Sequence, residues 1–217
     1  MLELLLVFAF GVFAFRHAVT PSDELEELPR RISDKLGKLW DIAHQGMREN
    51  RFLRAEKALL TILKIDERNA AAYNRLGILY AKQKEYKDAI DCFEIASSIE
   101  ATPSSLHNLG LIYYETENYE KAAVAFEQSL KLEDTLAARH IAYAKVQEKL
   151  GNHKLMIHEL EKATELETNH ETLSLLLKAY ESVDMIAQAD MIRQRLHKTI
   201  SSSTRPKRVL RPRRVVI

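Results

Sequence analysis

Apolar residues recur along the chain at the three- and four-residue spacing of amphipathic helices. Leu76 and Tyr80, for example, lie four residues apart, which places them on one face of a helix. The chain has only six Gly and five Pro residues, and its long mixed polar and apolar stretches favour helices over strands. The pattern therefore predicts an all-α fold.

The helical pattern also repeats itself. Residues 73–80 (YNRLGILY) and 86–93 (YKDAIDCF) return about 33 residues later as 106–113 (LHNLGLIY) and 119–126 (YEKAAVAF). In both copies, small residues stand where two helices must approach closely, and large apolar residues stand where the helices pack. This arrangement resembles the tetratricopeptide repeat, whose unit is a pair of antiparallel helices. The residues that define the repeat are Leu76, Gly77, Tyr80, Ala89, Phe93, Leu109, Gly110, Tyr113, Ala122 and Phe126.

Weaker copies extend the repeat in both directions. Unit starts fall near residues 36, 70, 103, 137 and 170, which gives about five units over residues 36–200. Residues 21–35 are expected to form a linker or lead-in helix. The resemblance implies a right-handed superhelical solenoid with one concave face, in which neighbouring hairpins stabilise each other.

In proteins that the chain resembles, the first helices of the units form the concave face and receive an extended or helical peptide. The resemblance therefore implies a peptide groove with an apolar, aromatic first half and a charged second half. An alternative is that Trp40 and Met47 pack against the preceding segment and that the charged residues are solvated. The candidate groove residues are Trp40, His44, Met47, Asn74, Ile78, His107, Leu111, Tyr114, Lys145 and Lys178.

The N-terminus is a hydrophobic segment. Residues 4–15 are uninterruptedly apolar, and residues 2–19 would form a helix of roughly 27 Å, close to the thickness of a bilayer core. A signal peptide would need a basic start and a small-residue cleavage site, and neither is present. The sequence favours an uncleaved single-pass membrane anchor over residues 1–20. The basic residues that follow the apolar run of residues 4–15, such as Arg16 and Arg30, predict that the repeats lie on the cytoplasmic side.

The C-terminus is strongly basic, although the net charge of the whole chain is only +1. Six cations lie in residues 201–217, so the rest of the chain carries about −5. With two prolines and no apolar periodicity, this tail is expected to be disordered. It would bind anionic lipid or an acidic protein in preference to nucleic acid, or simply be solvated. The six cations are Arg205, Lys207, Arg208, Arg211, Arg213 and Arg214.

The sequence shows no catalytic motif. There is no glycine-rich phosphate loop, nucleophile elbow or histidine spacing typical of a metal site, so we expect no enzyme activity, cofactor or metal. Cys92, the single cysteine, excludes an intramolecular disulfide. These observations predict a membrane-anchored adaptor that binds a partner protein or peptide. The alternatives are an envelope-facing repeat protein in secretion, pilus or cell-wall assembly, and a non-catalytic subunit of a larger complex.

Overall fold

The computed structural model describes the backbone of residues 21–203 and the side chains of residues 31–198. This part of the chain is all-α, as the sequence predicts. The predicted anchor, residues 1–20, and the six cations of the basic tail lie outside the described residues. The helices are α1 (Pro21–Arg48), α2 (Phe52–Ile65), α3 (Ala70–Gln83), α4 (Tyr86–Ile99), α5 (Pro103–Glu115), α6 (Tyr119–Leu132), α7 (Ala137–Lys149), α8 (His153–Leu166), α9 (His170–Ser182) and α10 (Ile186–Ser203).

The chain divides into two compact units, Met1–Lys84 and Glu85–Ile217. In the first unit α1 packs against α2, and α2 packs against α3. In the second unit α5 and α6, α7 and α8, and α9 and α10 form helix hairpins, and α4, α6 and α8 each pack against the helix that follows. Each helix therefore contacts mainly its neighbours in sequence, as expected of a helical repeat.

The two ends of the described region differ from the expected boundaries. Helix α1 runs without a break through residue 36, where the first repeat unit was expected to start. Ser201 to Ser203 are helical and belong to α10 rather than to the predicted tail. A few serines at the end of an established helix cost little, because their helix propensity is only slightly below that of the best helix formers. Between residues 21 and 203, no helix has both the length and the apolar character that a membrane crossing requires.

Polar side chains fix the starts of several helices. The Asn69 side chain accepts a hydrogen bond from the Ala72 backbone N–H at 2.9 Å. Thr102 and Asn169 form capping boxes with the residue three positions later, and Pro103 occupies the first turn of α5. These contacts satisfy backbone N–H groups that have no partner within the helix.

A left-handed residue follows the first helix of every repeat unit. These residues are Asn50, Lys84, Glu117, Gly151 and Asp184, with φ between 57° and 74°. In four of these turns the next residue donates its backbone N–H to the carbonyl five positions earlier; Asn118 donates to Tyr113 at 2.8 Å. This bond closes the end of the helix and reverses the chain direction. Only one of the five positions is glycine, so four side chains adopt a strained backbone conformation.

The residues that define the repeat lie in the helix interfaces. Nine of the ten are buried, and Tyr80 is half-buried. Gly110 packs directly on the ring of Phe126, because a Cβ added at Gly110 would lie 2.9 Å from two ring carbons. Tyr113 and Tyr180 lie near the ends of α5 and α9. The Tyr113 hydroxyl donates to Glu94 and the Tyr180 hydroxyl donates to Glu161 at 2.5 Å, and each glutamate belongs to the preceding helix.

Candidate functional site

A cavity of about 390 Å³ lies in the second unit, between α5, α6, α7 and the start of α9. It brings together four of the predicted groove residues: His107, Leu111, Tyr114 and Lys145. The first helices of two successive hairpins supply these side chains. The rest of the lining is formed by Glu115, Phe126, Ala138, Ile141, Ala142, Glu167, Asn169, Glu171 and Thr172.

His107 is a polar residue of the cavity lining that packs against an aromatic ring. Its ring contacts the Phe126 ring edge-on, with centroids 5.3 Å apart. The Nδ1 atom is buried and has no hydrogen-bond partner in the described part of the chain. Burial lowers the pKa of His107 below its ordinary value of 6.5, and the nearby Arg139 guanidinium lowers it further. The ring is therefore neutral at pH 7, and Nδ1 can take part in a hydrogen bond with a ligand.

The remaining wall of the cavity combines apolar surface with an excess of negative charge. Leu111 is 39% exposed, and the half-buried Tyr114 contacts Tyr119 edge-on. One cation, Lys145, faces three carboxylates of the lining, those of Glu115, Glu167 and Glu171. This balance favours a ligand that carries a positive charge beside an apolar group.

A second cavity, of about 750 Å³, lies in the first unit between α1 and α3. It contains three of the predicted groove residues, His44, Met47 and Ile78. This cavity is not lined by apolar and aromatic residues alone, because Arg48, Arg75 and Lys82 also line it. Arg75 and Lys82 stand three residues before and four residues after Ile78, so the same helical face carries all three.

The other three predicted groove residues line neither of these cavities. Trp40 stacks on His44, with ring centroids 5.6 Å apart, and Asn74 is half-buried. Lys178 is exposed on α9. The Trp40–His44 contact lies within α1, so it does not test the alternative that Trp40 packs against the preceding segment.

Sequence reasoning missed a buried polar pair between α7 and α8. His140 Nδ1 lies 2.6 Å from Glu159 Oε2, and His140 Nε2 lies 2.9 Å from the Asp134 carbonyl oxygen. His140 is 3% exposed and Glu159 is 7% exposed. Both ring nitrogens of His140 face an oxygen atom. Each of these two contacts needs one proton to be a hydrogen bond, so His140 and Glu159 must share two protons.

The repeat frame contains the signal that would have found this pair. His140 stands where the preceding unit has Leu106, and Glu159 stands where it has Ala125. Both of those residues are buried. Two ionisable residues at buried positions of one unit indicate that they are partners, because an unpaired charge there would be costly.

Arg139, next to this pair, is also buried. Its Nη1 atom lies 2.7 Å from Glu133 Oε2 and donates to the Glu133 carbonyl at 3.3 Å. This bond holds the guanidinium close enough to His107 to lower its pKa. Arg139 is thus the sequence neighbour of His140 and also acts electrostatically on His107, which lines the cavity.

The described region offers little for metal or thiol chemistry. Within residues 21–203, no three His, Cys, Asp or Glu side chains lie together as metal ligands would. Burial raises the pKa of the Cys92 thiol to about 11, and Asp88 and Asp91 add to the shift. This thiol is therefore protonated and poorly nucleophilic at neutral pH.

Two tetratricopeptide repeat models match the sequence, one over residues 68–132 and one over residues 138–170. No curated protein matches the chain as a relative. A crystal structure of MamA protein is 18% identical, with a TM-score of 0.73 over 83% of this chain and 100% of that chain. MamA 41-end from Desulfovibrio magneticus RS-1 is 15% identical, with a TM-score of 0.70 over 79% and 98%.

A crystal structure of YrrB, described as a TPR protein with an unusual peptide-binding site, is also similar. It is 18% identical, with a TM-score of 0.60 over 74% of this chain and 88% of that chain. At these identities the likeness concerns the fold alone. The sequence models and the fold agree, and the chain therefore contains tetratricopeptide repeats, carried by residues 68–132 and 138–170.

Proposed function

We propose that this chain is a non-catalytic scaffold that binds a segment of a partner protein in the cavity of its second unit. The observation that carries the proposal is the buried Nδ1 of His107, which has no partner among the described residues and lies at a cavity lined by Leu111 and Tyr114. A buried polar atom without a partner is costly. A peptide N–H that reaches it removes that cost on binding. YrrB, which has a similar fold, is described as having a peptide-binding site.

The charges of the cavity define the segment further. Its three carboxylates outnumber the single cation, Lys145. We therefore expect a peptide with an apolar residue against Leu111 and Tyr114 and a Lys or Arg near Glu171. An acidic peptide would be repelled by the same carboxylates.

Peptide display tests this proposal with a random library, so no particular partner has to be chosen. The library is selected on the immobilised full-length chain, and the peptides enriched are resynthesised for affinity measurements. We expect sequences that pair an apolar residue with Lys or Arg. Glu171→Lys and His107→Phe should each weaken their binding at least tenfold. Lys178→Glu is the control, because Lys178 is exposed on α9 and outside the cavity.

The pH dependence of the same binding is a second readout. The pKa of His107 is lowered, so Nδ1 is available at pH 7 and gains a proton only below pH 6.5. If Nδ1 accepts a hydrogen bond from the peptide, affinity is constant above pH 6.5 and falls below it. Peptides that bind His107→Phe as well as the wild type, or whose affinity is higher below pH 6.5 than at pH 7, would disprove the role of this cavity.

Attachment to a membrane is the second part of the proposal. The apolar run of residues 4–15 supports an anchor, and the cations that follow this run support a cytoplasmic position of the repeats. The chain would then bring its partner to the inner face of the membrane. The basic tail, residues 205–214, would add attraction to anionic lipid.

Cell fractionation with a topology reporter tests the attachment. A reporter that is active only in the cytoplasm is fused after Ile217, and the size of the membrane-bound product is measured. Reporter activity with a full-length product in the membrane fraction supports the proposal. A product that lacks its first twenty residues, or a reporter that is active only outside the cytoplasm, refutes it.

A further inference from the structure

A groove of about 900 Å³ runs between α1 and α2 in the first unit, separate from the cavity of the second unit. Its floor is apolar, and its edge carries three cations. The lining residues are Leu39, Ile42, Phe52, Leu53, Ala58 and Thr61 on the floor, with Asn50, Arg51, Arg54 and Lys57 along the edge. None of the lining residues in the described part of the chain is a carboxylate.

Among the described residues, no helix covers this groove, although the equivalent contact is made elsewhere in the repeat. Helices α3, α5, α7 and α9 each pack against the helix that precedes them. Within residues 21–203, no helix precedes α1. Ile42 is accordingly half-buried, whereas its equivalents in the later first helices, such as Leu76 and Leu176, are buried. The shape of the groove is therefore that of a site for one more helix.

The exposed leucine of α2 is specific to this groove. Leu53 is 65% exposed. The equivalent residues in the next three units are Lys87, Glu120 and Lys154, which are charged and exposed. A leucine at a position that is charged in the next three units adds apolar surface where water would be expected, which is typical of a surface that another chain covers.

The edge of the groove determines the charge of its occupant. Arg51 forms an exposed ion pair with Glu49 at 3.2 Å. Arg54 and Lys57 stand three residues apart on α2, so they lie along the same side of the groove. These charges complement carboxylates, and the run of residues 4–15 of this chain contains none. An acidic partner fits the edge better than the chain's own apolar segment does.

We propose that this groove binds an acidic amphipathic helix of a partner protein, in the place that a preceding repeat helix would take. The apolar face of that helix lies on Ile42 and Leu53, and its carboxylates face Arg54 and Lys57. The site is independent of the peptide cavity in the second unit.

The test measures the binding of two designed peptides to the full-length chain in phosphatidylcholine nanodiscs. One is a fluorescent helical peptide with Leu at every third and fourth position and Glu elsewhere, and its twin has Lys in place of every Glu. We expect the Glu peptide to bind at least tenfold more tightly than the Lys peptide. Leu53→Ala should weaken the Glu peptide about tenfold, and this change is conservative because the last unit has Ala187 at the equivalent position.

Charge reversal makes the test specific. Arg54→Glu combined with Lys57→Glu should lose the Glu peptide and gain the Lys peptide. Lys64→Glu is the matched control, because Lys64 is exposed on the same helix but outside the groove. Circular dichroism at 222 nm checks that each variant is folded.

Three results would overturn the proposal. The first is equal binding of the two peptides, or Glu-peptide binding unchanged by Leu53→Ala. The second is binding of neither peptide, which would be explained if residues 2–19 of the same chain occupied the groove. The third is binding to phosphatidylserine vesicles that depends on Leu53 while the Glu peptide does not bind, which would make the surface a lipid site.

Discussion

The buried pair of His140 and Glu159 allows a quantitative test of the packing between α7 and α8. We consider His140→Leu, Glu159→Ala and the double variant, because Leu106 and Ala125 occupy the equivalent positions of the preceding unit. In His140→Leu, the buried Glu159 carboxylate loses its partner at 2.6 Å. The Asp134 carbonyl loses its donor as well. The double variant leaves no unpaired side-chain charge.

The expected free energies follow from this geometry. Removing one partner of a buried pair destabilises a protein by about 3–5 kcal/mol, because the other charge stays buried without compensation. An apolar replacement of both partners is often close to neutral, so we expect the double variant to lose about 1 kcal/mol or less. The coupling free energy of the cycle is then several kcal/mol, far above the few tenths of a kcal/mol found for independent sites.

Urea unfolding followed at 222 nm measures these differences. With a slope of about 2 kcal/mol per molar urea, a loss of 3 kcal/mol lowers the midpoint by about 1.5 M. Repeat proteins do not always unfold in one step, so hydrogen exchange of α7 and α8 should accompany the curves. Single variants that lose less than 1 kcal/mol, or losses that simply add in the double variant, would refute the assignment of a buried, mutually dependent pair.

Three further predictions concern single positions. Gly110→Ala should destabilise the chain by about 1–3 kcal/mol in urea unfolding, because its Cβ would meet the Phe126 ring at 2.9 Å. Gly37→Ala, where a Cβ meets nothing within 4 Å inside α1, should be neutral or stabilising and is the control. Glu117→Gly should raise stability by about 1 kcal/mol, since φ is 60° at this position; an unchanged melting temperature would contradict this. Iodoacetamide should modify Cys92 in the folded chain at pH 8 at least tenfold more slowly than in urea, because the thiol pKa is raised to about 11; equal rates would contradict it.

Much of the fold could be predicted from the sequence because the repeat makes each position visible several times. A leucine at 76 and again at 109 identifies the packed face of a helix, and the recurrence separates packing from chance. The left-handed turn residues could not be predicted from composition. Only Gly151 among the five is a glycine, and the same backbone hydrogen bond that closes its helix end also closes the helix ends at Glu117 and Asp184.

The candidate site was predicted less completely for a different physical reason. Periodicity shows which face of a helix a residue occupies, but not which side chain it meets on the next helix. It therefore placed His107 and Leu111 in one groove, and both line the same cavity, while the burial of Nδ1 and the influence of Arg139 on the pKa appeared only in three dimensions. The same limit explains the cations of the first-unit cavity. Arg75 and Lys82 look like ordinary solvated residues of a helix until the cavity brings them beside Met47.

The left-handed turns have a consequence for where this chain can accept extra residues. They are spaced 34, 33, 34 and 33 residues apart, although each second helix from α2 to α8 has the same 14 residues. The first helix and its turn also keep a constant combined length from α3 to α9. The variation is confined to the connections that lead into the next unit, which alternate between four residues (66–69 and 133–136) and three (100–102 and 167–169). Loops inserted there should be tolerated, whereas a residue added at a left-handed turn would break the closure of its helix.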